Sequence, residues 1–393
     1  MIGRRPQGLR AAASLKKQQQ LEKQKQEASS ELSGNSSPSK ENGSENVDNG
    51  EMEDETMLVY TEEDNISQLW GLYEMSREKL ENDDIDASVS LVFGTIHEAD
   101  RILRNTEDIS TLPKDFHAAY SSALLAVSEL FEIAQKRLKE TNTEESYIDA
   151  AIERAQLGLD APGNESRLFL ALARAYLEKV RILVWRHDNE ESLANIPVTQ
   201  LVNPYIEKAI QYLRPLAQDS TEYFDALTPD SLRPLYILSS YLFQFGDQFS
   251  EAFLLDVCSI ITALWLKSVV DPNTPAYYKL IAQEAVLNNY TTFAEYYMDL
   301  LDNSESNVDD LINKTSSWLN NSVDTWNVIY TLDKSPERLL KLADIKMDLA
   351  QIVQDEASQD NYLKEACNAI KEAQVSGVEL SPDYVEFVEA YSA

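Results

Sequence analysis

The chain is short of the residues that most site chemistry needs. Its 393 residues include two cysteines, three histidines and eleven glycines. Two cysteines cannot build a disulfide framework or a Cys-rich zinc module, and a reducing compartment, cytosol or nucleus, fits such a chain. Cys258 and Cys367 lie far apart in apolar segments and read as buried structural thiols. Scarce glycine leaves no phosphate cradle: neither Gly-x-x-x-x-Gly-Lys-Ser/Thr nor Gly-x-Gly-x-x-Gly occurs. The Gly-x-Ser-x-Gly elbow of serine hydrolases is missing too. So are long hydrophobic runs. The greasiest segment, Phe253–Val270, is interrupted by Asp256 and Lys267, with ten uncharged residues between them. That is too short to span a bilayer and reads as a buried helix. The first twenty residues lack the apolar stretch of a signal peptide. Positive charge is scarce as well: 34 Lys+Arg face 67 Asp+Glu, a net charge of −33. The field of such a protein repels phosphate, which disfavours direct nucleic-acid or anionic-membrane binding.

What the chain does have is apolar content, at 43%, enough for a sizeable core. It is unevenly spread. Residues 1–65 hold five of the eleven glycines and few large apolar residues. Burial there cannot offset the entropy of ordering, and a disordered tail is predicted. The tail is split in charge: 1–30 carries +5 and 31–65 carries −10, which leaves −28 on 66–393. The remainder, 66–393, reads as one helical repeat domain. Pro113, Pro162, Pro197, Pro229, Pro272, Pro336 and Pro382 fall between periodic segments and mark helix boundaries. Val89, Val92, Phe93, Ile96, Ala99 and Leu103 form one helical stripe. Similar stripes predict helices over 167–184, 254–269 and 339–353, and a long one over 116–138. Roughly 13 to 16 helices are expected; the β-rich run 327–332 stays ambiguous. Segments 146–180 and 335–382 each pair an Ala-centred helix with a second helix across a short stop. They resemble degenerate tetratricopeptide units, so the predicted fold is an all-α, tetratricopeptide-like solenoid.

Candidates for chemistry are few. His97-Glu98-Ala99-Asp100 falls short of a zinc motif because Arg101 stands where a ligand would follow. His97, Asp100 and Arg104 share a helical stripe, and a salt-bridged helix flank explains them better than a metal set does. Neither a catalytic residue, nor a metal ligand, nor a cofactor is assigned. Acidic pairs such as Asp83–Asp84 and Asp309–Asp310 read as solvated surface. Trp70, Tyr73, Trp185, Trp265, Trp318 and Trp326 read first as core. Any of them exposed on a concave helical surface would suit protein recognition. Arg4, Arg5, Arg10, Lys16, Lys17, Lys23 and Lys25 form a cationic head that suits the acidic groove of a nuclear import receptor. RNA is the other possible partner for such a head.

Two stretches add a resemblance. Gly3–Arg10 (GRRPQGLR), and Leu69–Tyr73 (LWGLY) followed by Val92–Arg104 (VFGTIHEADRILR), resemble signatures of a fungal family. That family holds the fission-yeast negative regulator of a nuclear 2-oxoglutarate/iron dioxygenase and the budding-yeast enhancer of translation termination. The resemblance implies a tetratricopeptide-like protein without catalysis that binds a prolyl-hydroxylase-like dioxygenase. It implies restraint of that enzyme's action on a sterol-response transcription factor, and help with its nuclear entry. The expected site is therefore the cationic head, as import signal, together with Trp70, Tyr73, His97, Asp100, Arg101 and Arg104 as candidate partner surface. The expected location is the nucleus, with a cytoplasmic pool. An alternative from another class is a translation termination factor acting on the ribosome, or through a ribosomal-protein hydroxylase.

Overall fold

In the computed structural model the described residues run from 65 to 391, apart from 139–141, 194, 219–227, 229–230, 245–247, 272–273 and 304–306. The cationic head therefore lies outside the described residues. Among those described there are fourteen α-helices and no strand. Two compact units divide the chain between Leu168 and Phe169.

The first unit begins with α1 (Asn65–Glu81) and α2 (Ile85–Asn105), joined by a tight turn. Asp83 in that turn has a left-handed φ of 59°, and Asp84 caps α2 by accepting from Ala87 N–H. The predicted α2 stripe is buried as its spacing required: Val89, Val92, Ile96 and Ala99 are nearly inaccessible. A short 3-10 turn (Ile109–Thr111) leads to α3 (Lys114–Glu129), which Pro113 starts. The single long helix expected over 116–138 breaks at Leu130, whose φ of −103° and ψ of 17° leave the helical region. Helix α4 (Phe131–Leu138) follows, and the break lets the Phe131 ring meet Tyr147 at 6.4 Å. Helix α5 (Glu144–Leu157) opens with a capping box between Thr143 and Ser146. It packs on α3, and its Ala150, Ala151 and Ala155 are buried at that crossing. Helix α3 also packs on α1 and α2.

Helix α6 (Ser166–Asn189) carries the chain from the first unit into the second. Helix α7 (Val198–Gln218) runs through Pro204 and Pro215, which boundary reasoning over the prolines did not anticipate. Both prolines are exposed, and so are Gln200 and Gln211, the residues whose carbonyls lose their helical donors. Helices α8 (Leu235–Gln244), α9 (Glu251–Lys267), α10 (Ala276–Asp302), α11 (Val308–Leu332), α12 (Glu337–Ile352), α13 (Glu356–Val375) and α14 (Pro382–Tyr391) follow. From α8 to α14 each helix packs against the next in the chain, the pairing of a helical-repeat fold. The ambiguous run 327–332 is the end of α11. Helix α13 ends with Gly377 at φ 97°, while Val378 N–H reaches the Ala373 carbonyl. The greasy segment became α9, with Leu254, Val257, Ile261 and Leu264 buried. Among the described residues no helix is long and apolar enough to cross a membrane.

Candidate protein-docking site

The expected surface residues gather on α1 and α2 but separate by depth. Tyr73 is 7% exposed and Asp100 is 1% exposed, so their side chains serve the interior. Trp70 and His97 are half-buried, and Arg101 and Arg104 are exposed. Trp70 is fixed from three sides. Its indole N–H donates to the Asp115 carbonyl at 3.2 Å, Tyr73 meets it edge-on at 5.7 Å, and the Arg167 guanidinium lies 4.6 Å over its ring. Arg101 forks onto both carboxylate oxygens of Glu98 and also reaches the Asn65 side-chain oxygen at 3.2 Å. Arg104 donates through Nε to the Asp100 backbone carbonyl at 3.1 Å.

Behind that surface lies a polar interior that sequence reasoning missed. Tyr120 Oη on α3 donates to Asp100 Oδ1 at 2.5 Å, while Asp100 Oδ2 is buried with no hydrogen-bond partner. Burial raises the Asp100 carboxyl above its ordinary range; the Tyr120 hydrogen bond, Arg104, Arg154 and His97 pull it back. Burial and the neighbouring carboxylate push the Tyr120 phenol upward. The Arg154 guanidinium of α5 sits 4.9 Å over the Tyr120 ring and is 8% exposed. Its own pKa is lowered by burial and drawn back up by Tyr120 and Asp100. His117 donates from Nδ1 to the Arg154 carbonyl at 3.2 Å. Burial and the Arg154 charge lower its pKa to about 4, so it is neutral at physiological pH. Gly158, ending α5, leaves no room for a side chain: a Cβ there would lie 2.6 Å from His117 Cβ. The signal that could have found this cluster was Arg154 itself, a cation in the Ala151/Ala155 stripe.

These groups tie three helices, α2, α3 and α5, to one another. No set of three or more His, Cys, Asp or Glu residues is placed to hold a metal among the described residues. Cys258 is buried, its thiol pushed up to about 12 by burial, which removes it as a nucleophile. The aromatic reading needs one correction. Trp265 and Trp326 are core and Trp70 and Trp318 are half-buried, but Trp185 is 60% exposed. It projects from the last turns of α6, beyond the stretch whose Ala171, Ala175 and Tyr176 are buried.

Residues 2–252 match the family described as nuclear pore complex subunit Nro1, and residues 250–391 match that described as negative regulator of ofd1, C-terminal. The chain belongs to the Nro1 family. It is 99% identical over 393 residues, the whole of both chains, to the protein named negative regulator of ofd1 from Schizosaccharomyces pombe. It is 25% identical over 352 residues to enhancer of translation termination 1 of Yarrowia lipolytica, covering 86% of this chain and 89% of that one. Two solved Nro1 structures superpose on it. One, described as the S. pombe nuclear import adaptor Nro1, has a TM-score of 0.83 at 98% identity, covering 87% of this chain and 100% of that chain. The other, described by the statement that the hypoxic regulator of sterol synthesis Nro1 is a nuclear import adaptor, has a TM-score of 0.82 at 92% identity, covering 96% and 99%.

Proposed function

We propose that this chain is a non-catalytic adaptor and negative regulator of ofd1, a prolyl-hydroxylase-like 2-oxoglutarate dioxygenase, and that it helps carry that enzyme into the nucleus. The observation that supports this best is the full-length, 99% match to the protein named negative regulator of ofd1, together with the import-adaptor descriptions of the matching structures. In this reading the helical repeats supply a pre-formed protein-binding surface, which spares the ordering cost of association. The seven-cation head supplies the import signal, and oxygen is sensed by the partner. Restraint of ofd1 would lower its action on a sterol-response transcription factor.

The test is reconstitution from purified components: the full-length chain, ofd1 and an import receptor, followed by sedimentation velocity. A ternary complex that loses the receptor, but keeps ofd1, when residues 1–64 are removed supports the reading. A full-length chain that binds neither overturns it. A second reading has one observation behind it, the 25% identity to enhancer of translation termination 1 over most of both chains. It predicts cosedimentation with ribosomes that persists in cells lacking ofd1.

A further inference from the structure

Four of the five tryptophans have neighbours holding their rings. Trp70 is described above, Trp265 meets Tyr236, Trp318 meets Tyr290 and Phe293, and Trp326 stacks on Tyr330. Trp185 differs. Its indole has neither a ring partner, nor a cation, nor a hydrogen bond among the described residues, and 60% of its surface is open. An apolar ring of that size left in water is a cost unless a partner covers it.

Its mounting is stiff. Asn189 Nδ2 donates to the Trp185 backbone carbonyl at 2.7 Å and ends the helix there. Arg186 grips Glu190 through two hydrogen bonds of 2.8 and 3.0 Å. His187 Nε2 donates to the Ile196 carbonyl at 3.1 Å, tying the helix end to the following loop. These contacts fix the backbone that carries the ring, so only the side chain's own two torsions remain to be ordered when a partner covers it. The charge around it has one sign to offer. The nearby cations are engaged, Arg181 with Glu178 and Arg186 with Glu190. Asp188, one turn beyond Trp185, has one oxygen 3.3 Å from His187 Nδ1 but keeps 65% of its side chain open, and Glu191 in the next turn is exposed.

We propose that Trp185, Asp188 and Glu191 form the anchor point for a Lys- or Arg-bearing segment of ofd1, and this rests on the adaptor reading above. A cationic side chain over the indole face gains a cation–π contact, and its charge meets the two carboxylates. The whole second unit shares in an acidic body, so the encounter is steered by charge. The import receptor is the wrong occupant, because a groove acidic enough to take the cationic head is repelled by Asp188 and Glu191.

The test titrates purified ofd1 into the full-length chain by calorimetry, at low and at high salt. Trp185→Ala is expected to weaken binding by about 30-fold, the level of a hot-spot residue. Asp188→Lys is expected to weaken it by about 10-fold and to flatten the salt dependence. Thermal melting of both variants should match the parent, since neither side chain is buried. Tyr277→Ala, at another open aromatic with 68% exposure, is expected to leave binding unchanged. Parent-like affinity in Trp185→Ala overturns the assignment, and so does equal weakening by Tyr277→Ala. A parent chain that fails to bind ofd1 overturns the adaptor reading itself, which separates the two failures.

Discussion

The interior of α2, α3 and α5 and the interior of α10 to α13 solve one packing problem in two ways. Between α10 and α13 the filling is apolar: Leu319, Trp326, Ile329, Leu349, Ala366 and Ile370 form a continuous cluster. Ion pairs there lie at the rim, as where Lys346 meets Glu365 and Arg338 bridges Glu284 and Asp333, while Asp348 on α12 is half-buried and its carboxyl is raised by burial and by Asp344 and Glu295. Between α2, α3 and α5, small residues bring the backbones close and a carboxylate, a phenol, an imidazole and a guanidinium are buried together. Apolar packing resists pH and is sensitive to lost volume. A buried polar cluster resists mispairing and is sensitive to protons.

The two interiors can therefore be broken separately. Trp326→Ala empties a site that is 2% exposed and should cost about 3–5 kcal/mol, read as loss of hydrogen-exchange protection in α11 to α13. Tyr120→Phe removes the one donor to Asp100 and should cost about 2 kcal/mol in α2 and α3 while leaving α11 to α13 unchanged. Acidification should discriminate the two as well. His117 has a folded pKa of about 4, below its unfolded value, so its contribution is present above about pH 6.5 and fades as pH falls toward 4. Exchange protection of α3 and α5 should drop by about 1–2 kcal/mol between pH 7 and 5, and His117→Gln should flatten that drop. Asp100 opposes it, because its raised pKa makes the folded state take up a proton as pH falls. The smallest effect belongs to the surface. Lys364→Ala removes an exposed i,i+4 pair with Asp360 and should shift stability by only a few tenths of a kcal/mol.

The sequence carried the apolar half of this comparison openly. The spacing of Val89 to Ala99 and of Leu339 to Ile352 is a one-dimensional record of a buried face, so helix positions and the all-α class were readable. Local breaks were not. Leu130 ends α3, and directly after it Phe131 meets Tyr147, a contact sixteen residues away that no local pattern encodes. Pro204 and Pro215 stay inside α7 on its exposed face, where the loss of a helical hydrogen bond costs least. Of the stripe His97, Asp100 and Arg104, the structure leaves Arg104 exposed and His97 half-buried, but periodicity alone could not tell that Asp100 is covered by Tyr120. Nor could it tell that Trp185 lies outside the core. Both facts depend on which helix comes to rest against which.

In the proposed function this chain carries ofd1 into the nucleus, with the seven cations between Arg4 and Lys25 as the import signal. The direct measurement is the nuclear fraction of fluorescent ofd1 in cells expressing either the full-length chain or a form with Arg4, Arg5, Arg10, Lys16, Lys17, Lys23 and Lys25 changed to Ala. The account predicts nuclear ofd1 with the first, and cytoplasmic ofd1 still bound to the chain with the second. Equal nuclear ofd1 in both cases would contradict it.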